Sequence, residues 1–165
     1  MKSKPFFVIL GAVLIGLTGA VWAQRAVDNP DWKEVDVPPP PAFDSNKLIA
    51  FDVSPNASLV YGVDPASIRI SNSDSVVRYV MVATSASGAK NVMYEGIRCA
   101  TGEFKTYARY SSNGRWRMVA NAEWRSLFDG ASSRHALQFA KAAACDNAAP
   151  ASSVQAIVSR LNGQN

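Results

Sequence analysis

The chain has 165 residues, of which 48% are hydrophobic and 18% are charged, and its formal net charge is +4 with one histidine and two cysteines. So few histidines and cysteines exclude the usual His/Cys metal centres, and no P-loop, G-x-G-x-x-G, G-x-S-x-G or H-E-x-x-H motif is present. We therefore assign no catalytic residue, no metal and no cofactor. The charge is also low for a nucleic-acid-binding protein, so we expect no nucleic acid as partner.

Residues 1–23 have the organisation of a secretory signal peptide. Lys2 and Lys4 precede an apolar run from Phe6 to about Leu17, and small residues follow up to Ala23, with Ala20 as an alternative cleavage point. Cleavage after residue 23 removes two lysines and no acid, so the net charge falls from +4 to +2. The apolar run is shorter than the ~20 residues of a membrane span. We therefore expect a periplasmic protein with no stable membrane span after cleavage; an uncleaved anchor is the alternative.

Residues 24–45 are predicted to form an extended, proline-rich arm. The segment has no sustained hydrophobic period, and its four consecutive prolines, Pro38 to Pro41, favour an extended conformation. Trp32 is a large apolar ring on an otherwise polar segment, so we expect it to hold the arm against the domain. The alternative is a proline-rich ligand for a partner protein. A single domain is predicted for residues 46–165, because the chain of about 140 residues left after cleavage suffices for one core and not for two.

The middle of the chain predicts an antiparallel β-meander. Short β-branched and aromatic runs alternate with clusters of Gly, Asn, Asp and Ser at hairpin spacing. Turns are expected at Ser71–Asp74, Ser85–Gly88 and Ser111–Gly114. The predicted strands are Leu48–Val53, Leu59–Val63, Ser67–Ile70, Val76–Thr84, Asn91–Arg98, Phe104–Tyr110 and Arg115–Val119.

After Val119 the hydrophobic period becomes helical. A short helix is expected between Asn121, as its N-cap, and Gly130. A second helix begins after Ser132 or Ser133 and ends near residue 145, and a third covers residues 150–162, with Pro150 at its start. Strands followed by helices predict an α+β fold with the C-terminal helices packed on one face of the sheet.

The two cysteines, Cys99 and Cys145, are predicted to form a disulfide. An exported protein folds in an oxidising compartment, and these are the only two cysteines available. Closing a loop of about 45 residues stabilises a fold by ~3 to 4 kcal/mol on the chain-entropy model. The alternative is a catalytic thiol, which needs a histidine base, and the only histidine, His135, is distant from Cys99 in sequence.

The segment YEGIRC, Tyr94 to Cys99, brings a carboxylate and a guanidinium close together in sequence. In a strand, however, Glu95 and Arg98 point to opposite faces. Arg78 in the preceding strand lies opposite either Gly96 or Glu95, depending on the register of the turn. We interpret Arg78 and Glu95 as a structural ion pair; the alternative is that Glu95 is a catalytic acid.

Cations alternate with aromatic residues in the stretch FKTYARYSSNGRWR. With a hairpin turn at residues 112–114, Arg109 lies opposite Arg117, and one face carries only cations. The simpler interpretation is that these cations form the solvent-exposed face of an amphipathic sheet. The sharper one is an anion-binding surface for phospholipid head groups, lipopolysaccharide phosphates or an acidic glycan. The cationic face is predicted to comprise Lys105, Arg109, Arg115 and Arg117, and the apolar face Phe104, Tyr110, Trp116 and Met118.

A series of motifs runs through the chain: VDPASIRI, VVRYVMVATSASGAKNVMYEGIRC, KTYARY and RWRMV. Together with the later Cys145, they resemble the CNP-one-like family of uncharacterised exported bacterial proteins. The resemblance covers about Trp32 to Cys145, and its most specific parts are Val77-Arg78-Tyr79 and the YEGIRC segment. It implies a periplasmic location in a Gram-negative bacterium and carries no activity. Residues after Pro150 lie outside it.

We expect the domain to act by binding, as an envelope accessory protein or part of a complex. Its partner would be an envelope protein or an anionic envelope component. The alternative is a hydrolase acting on a cell-envelope polymer through Glu95 and a second acid, Asp64 or Glu103. Two acids in a cleft would favour the enzyme, whereas a sealed core with a basic or apolar open face would favour binding.

Overall fold

The computed structural model describes residues 29–163. The predicted signal peptide and residues 24–28 of the predicted arm lie outside the described residues. Between residues 29 and 163, no helix is long and apolar enough to cross a membrane. The described part of the arm forms neither a helix nor a strand.

An antiparallel sheet of eight strands lies at the centre of the fold, which confirms the predicted meander. Its strands are β1 (Ile49–Phe51), β2 (Leu59–Val63), β3 (Arg69–Ile70), β4 (Val76–Ser85), β5 (Lys90–Arg98), β6 (Glu103–Tyr110), β7 (Trp116–Met118) and β8 (Arg125–Ser126). The order across the sheet is β1-β2-β4-β5-β6-β7, while β3 pairs with β4 and β8 pairs with β6.

Both faces of the sheet are covered. Every side chain of β4 from Val76 to Ala83 is buried, as expected for a strand that packs on both sides. The helices cover one face, which we call the helix face. The arm covers the other, the arm face, where Val37 and Phe43 pack against a second apolar cluster that includes Val80 and Tyr94. The expectation of a sheet with one solvent-exposed face is therefore wrong for the centre of the sheet.

The helical part consists of α1 (Arg134–Phe139), a π-helical turn (Ala140–Ala144) and α2 (Val154–Asn162). Two short strands, β9 (Cys145–Asp146) and β10 (Ala149–Pro150), pair between them. The helix α2 begins later than predicted, because Ser153 caps it by accepting a hydrogen bond from the Ala156 amide at 3.1 Å. Pro150 lies in β10, four residues before the helix.

The helix predicted between residues 121 and 130 does not form. Asn121 has a φ of +51°, a left-handed conformation unlike that of an N-cap residue. Trp124 and Leu127 would lie on one side of a helix, yet Trp124 contacts Trp32 on the arm face and Leu127 belongs to the helix-face core. Because the two side chains go to opposite faces of the sheet, the segment forms turns and the short strand β8 instead.

The predicted disulfide is confirmed. Cys99, just after β5, is bonded to Cys145 in β9, and their Cα atoms are 5.7 Å apart. The bond therefore joins the end of a central strand to the chain that leaves the π-helical turn. A free catalytic thiol is excluded, since both cysteines are in this bond.

Candidate functional site

The register between β4 and β5 separates the two charges that were predicted to pair. Arg78 lies opposite Gly96, and Tyr79 lies opposite Glu95. Directly opposed residues share a face and successive residues alternate, so Arg78 is on the arm face and Glu95 is on the helix face. The predicted Arg78–Glu95 ion pair is therefore wrong, and each residue belongs to a different polar cluster.

Glu95 is fully buried and its carboxylate is surrounded by hydrogen-bond donors. The Tyr79 hydroxyl donates to it at 3.1 Å and the Thr106 hydroxyl at 3.0 Å. His135 Nε2 lies 3.0 and 3.2 Å from the two carboxylate oxygens. Burial, and then the neighbouring Glu95, raise the pKa of Tyr79 well above its usual value, so this hydroxyl remains a donor. Glu95 thus holds three side chains from β4, β6 and α1.

His135 is fixed in orientation by its neighbours. Its ring stacks on Tyr61, with centroids 5.7 Å apart and an interplanar angle of 4°, and meets the edge of Phe104 at 5.9 Å. A carboxylate only accepts hydrogen bonds, so the contact with Glu95 places a proton on Nε2. Within residues 29–163, no side chain or backbone group hydrogen-bonds to Nδ1. The second ring nitrogen is therefore available to a ligand.

A cavity of about 220 Å³ opens over this pair, and we call it the histidine pocket. Glu95, Thr106 and His135 line its buried end, whereas Arg109 and Arg125 are exposed and form its charged rim. Arg125 Nη2 donates to Ser132 Oγ at 2.9 Å, and its guanidinium lies over the Phe104 ring at 5.7 Å. The remaining lining residues are Leu59, Tyr61, Ala83, Asn91, Met93, Phe104, Ala131 and Ser132.

A larger cavity, about 530 Å³, lies beside the disulfide. Its wall is mainly apolar, with Leu127, Phe128 and Leu137, and Lys141 is the one charged side chain among the described residues that line it. This cavity contains none of the predicted site residues except the two disulfide cysteines. It lacks the convergent polar groups of the histidine pocket, which is therefore the stronger candidate site.

The predicted cationic face is only partly correct. Arg109 lies opposite Arg117, as predicted. Arg115 precedes Arg117 by two residues, and all three side chains are exposed. Lys105 does not join them, because β6 has an irregularity where Tyr94 pairs with Ala108 and Glu95 pairs with Thr106. Tyr107 is the extra residue of this bulge, and it shifts the alternation of β6 by one position. Lys105 therefore faces the arm.

The bulge also divides the predicted apolar face. Phe104 belongs to the helix-face core, whereas Tyr110 and Trp116 pack on the arm face around Phe43. The Phe43 ring lies 5.0 Å from Tyr110 and 5.8 Å from Trp116, in both cases edge to face. Met118 is 61% exposed and joins neither cluster.

The arm-face cluster is an ion-pair network that holds the arm on the sheet. Glu34 of the arm accepts from the Tyr107 hydroxyl at 2.6 Å and from Lys105 Nζ at 2.8 Å. Arg78 lies 3.5 Å from Glu34 and 2.6 Å from Asp74. Burial by itself would raise the pKa of Asp74, but hydrogen bonds, first that from Arg78, outweigh it and lower this pKa.

Trp32 holds the arm, as predicted. Its indole Nε1 donates to the Asp74 carbonyl at 2.8 Å, and its ring lies 3.9 Å from the Arg98 guanidinium. Gly96 leaves room for Tyr107, whose hydroxyl binds Glu34 of the arm, since a Cβ atom there would come within 2.9 and 3.0 Å of two Tyr107 ring carbons. The arm is thus a structural layer of the domain.

Neither acid proposed as a partner of Glu95 lines the histidine pocket. Asp64 accepts from the Ala66 amide at 3.0 Å and from the Asp44 amide at 2.9 Å, and so fixes a turn and the end of the arm. Glu103 accepts from the Thr101 hydroxyl at 2.6 Å. Sequence reasoning also missed His135 and Arg125 as site residues, since no motif marks either. The one available signal was that His135 is the only histidine.

One antiparallel sheet, with helices and a disulfide on one side and an extended segment on the other, defines a small α+β domain. The chain belongs to the CNP1-like family, whose sequence profile matches residues 27–162. This match extends beyond the resemblance seen from Trp32 to Cys145, so α2 is part of the family's domain. No curated protein and no solved structure matches the chain.

Proposed function

We propose that the chain is an exported periplasmic domain that binds an anionic component of the bacterial envelope. The binding surface, which we call the arginine surface, comprises two arginines at the rim of the histidine pocket and two on the adjacent hairpin. The carrying observation is that none of them has a carboxylate partner within residues 29–163, whereas Arg78, Lys105 and Arg160 each have one. The arginine surface consists of Arg109, Arg115, Arg117 and Arg125.

The arrangement of these arginines favours an anion. Arg109 and Arg117 lie directly opposite each other on β6 and β7. Like charges in that position destabilise a sheet, and a bound anion removes the repulsion. Guanidinium groups bind phosphate and carboxylate oxygens in pairs, which makes arginine effective on such a surface.

Export is supported by two independent features. Residues 1–23 have the charge and hydropathy pattern of a signal peptide. The disulfide is of a kind that persists in oxidising compartments and is rare in the cytosol. Cell fractionation and the N-terminal sequence of the purified protein test this part: a cytoplasmic protein that begins at Met1 would contradict it.

Vesicle binding tests the ligand class. The purified protein should bind phosphatidylcholine vesicles that contain phosphatidylglycerol, and not vesicles of phosphatidylcholine alone. Arg109→Glu with Arg117→Glu should abolish this binding. The matched control is Lys33→Glu with Lys141→Glu, which changes the net charge equally at exposed positions outside the arginine surface. Equal loss in both double variants would show a net-charge effect and contradict the proposed surface.

A second candidate function is hydrolysis of a cell-envelope polymer, and the Glu95–His135 pair favours it. A histidine oriented by a buried carboxylate is an arrangement that serves general acid–base catalysis. The proposed two-carboxylate chemistry has no second acid lining the pocket. The test is product release from isolated peptidoglycan and envelope glycans: turnover that disappears in His135→Gln supports the hydrolase, and no turnover by the native chain contradicts it.

A further inference from the structure

We infer that the histidine pocket takes the terminal phosphomonoester group of the ligand, held by His135 Nδ1 together with the guanidinium groups of Arg109 and Arg125. The inference rests on the proposed function, because it specifies which anion reaches the arginine surface. It commits to a chemical group and leaves open whether a lipid, a sugar phosphate or free phosphate carries it.

The first step of the argument is the state of His135. The residue is only 8% exposed, yet it lines the cavity and its Nδ1 has no hydrogen-bond partner between residues 29 and 163. Nδ1 is not one of the fully buried side-chain atoms without a partner, so it is open to the cavity. Since Glu95 fixes Nε2, the ring cannot turn to use Nδ1 elsewhere without losing that contact. A ligand atom in the cavity gives Nδ1 its partner.

The second step is the charge of the pocket. Arg109 and Arg125 contribute two guanidinium groups, each with several donors. Glu95 is the one carboxylate among the lining residues, and its oxygens already accept from Tyr79, Thr106 and His135. The pocket therefore offers the N–H donors of its two arginines to a ligand, while the Glu95 oxygens are already hydrogen-bonded within the protein. This composition selects an anion rich in acceptor oxygens.

The third step is size and shape. At about 220 Å³ the cavity is smaller than the ~300 to 1,000 Å³ of pockets that enclose a whole small molecule. Its inner end is closed by the Glu95–His135 pair, so the ligand must end there. A phosphodiester continues on both sides of the phosphorus, whereas a monoester has one attachment and three terminal oxygens. Two of these oxygens match the two guanidinium groups, and the third, protonated in the monoester monoanion, can donate to Nδ1, which accepts because the ring proton is on Nε2.

Titration with glycerol 3-phosphate, followed by NMR of the imidazole C–H resonances, tests the site directly. His135 is the only histidine, so its resonances need no assignment by mutation. Glycerol 3-phosphate and inorganic phosphate should both shift these resonances with saturation, and acetate should bind at least about tenfold more weakly. Unmoved resonances, or equal affinity for acetate, would overturn the inference.

Variants measure the contribution of each group. Hydrogen bonds to charged groups contribute roughly 1.5–3 kcal/mol, so Arg125→Gln should weaken glycerol 3-phosphate binding by about tenfold or more. Arg125 is exposed, so this variant should keep its fold even if His135→Gln does not. Arg115→Gln, on the same surface but outside the pocket lining, should change the affinity less than about threefold. Equal losses in Arg115→Gln and Arg125→Gln would contradict a site in the pocket.

Vesicles separate this inference from the proposed function and identify the source of the group. Vesicles with phosphatidic acid, a monoester, should bind more tightly than vesicles with phosphatidylglycerol, a diester, at equal surface charge. Equal binding to both would overturn the pocket's selectivity and leave the arginine surface standing. Binding of glycerol 3-phosphate without binding to either vesicle would support the pocket and overturn a lipid surface as the partner.

Discussion

The two faces of the sheet use buried charge in opposite ways. On the arm face, Arg78 and Lys105 meet Glu34 or Asp74, and the network is sealed by the arm. On the helix face, Glu95 is equally buried, but the histidine that it holds keeps one nitrogen for the cavity. The comparison teaches that burial of a charged residue does not by itself mark a functional site. What distinguishes the helix face is that its polar groups reach a cavity with arginines at its rim.

The largest expected effect comes from breaking the arm-face network. Arg78→Ala leaves the buried Asp74 without its cation, whereas Glu34 keeps Lys105, and removal of one partner of a buried pair costs about 3–5 kcal/mol. Chemical denaturation should show this loss of unfolding free energy, while phosphate binding by the folded fraction persists. Arg69→Ala, at the exposed position opposite Arg78, is the control and should cost much less. Equal losses would refute a special role for the network.

Removing the disulfide should have the next largest effect. Cys99→Ser with Cys145→Ser should lower the unfolding free energy by about 3 kcal/mol, because a long loop is no longer closed in the unfolded chain. The bond also joins β5, which carries Glu95, to the chain that follows the helical segment carrying His135. We therefore expect weaker glycerol 3-phosphate binding in the folded double variant. Unchanged binding would show that the disulfide stabilises the fold without positioning the pocket.

Glu95→Gln tests the role of the buried carboxylate on the helix face. The amide group brings two donors into a place where three donors already converge, so about 1–3 kcal/mol of unfolding free energy should be lost. The NMR signals of His135 should broaden or shift, because its Nε2 contact changes. The Trp32 indole N–H signal on the arm face should stay where it is. A disturbed Trp32 signal with an unchanged His135 signal would contradict the assignment of Glu95 to the helix face.

The smallest effect is a pH dependence on the acid side. The pKa of Asp74 is lowered in the fold, so its contribution to stability is complete above the ordinary carboxyl pKa, about 3.9, and is lost as the pH falls towards the folded value. Unfolding free energy measured between about pH 5 and pH 2 should therefore fall more steeply in the native chain than in Asp74→Asn. Identical slopes would show that Asp74 gains nothing from Arg78.

Much of the sheet was predictable, because the local alternation of side chains and the turn residues between them indicate where strands begin and end. Strand β2 has the predicted bounds, and β4 and β5 differ from the prediction by one residue at one end. The candidate site was less predictable. Arg109 and Arg117 were placed opposite each other correctly, but Lys105 was assigned to their face because nothing in the local sequence marks the bulge at Tyr107. A single extra residue reverses the facing of every position on one side of it.

The sequence by itself determined the order of the strands, the disulfide and the arm anchored by Trp32, since each depends on local pattern or on the only available partner. Tertiary structure alone decided that Glu95 meets His135, forty residues away, and that Arg78 meets Glu34 of the arm. The register of β4 against β5 assigned these two charges to opposite faces. The physical reason is that alternation defines faces within one strand, whereas partners across the fold depend on how strands, helices and arm pack together.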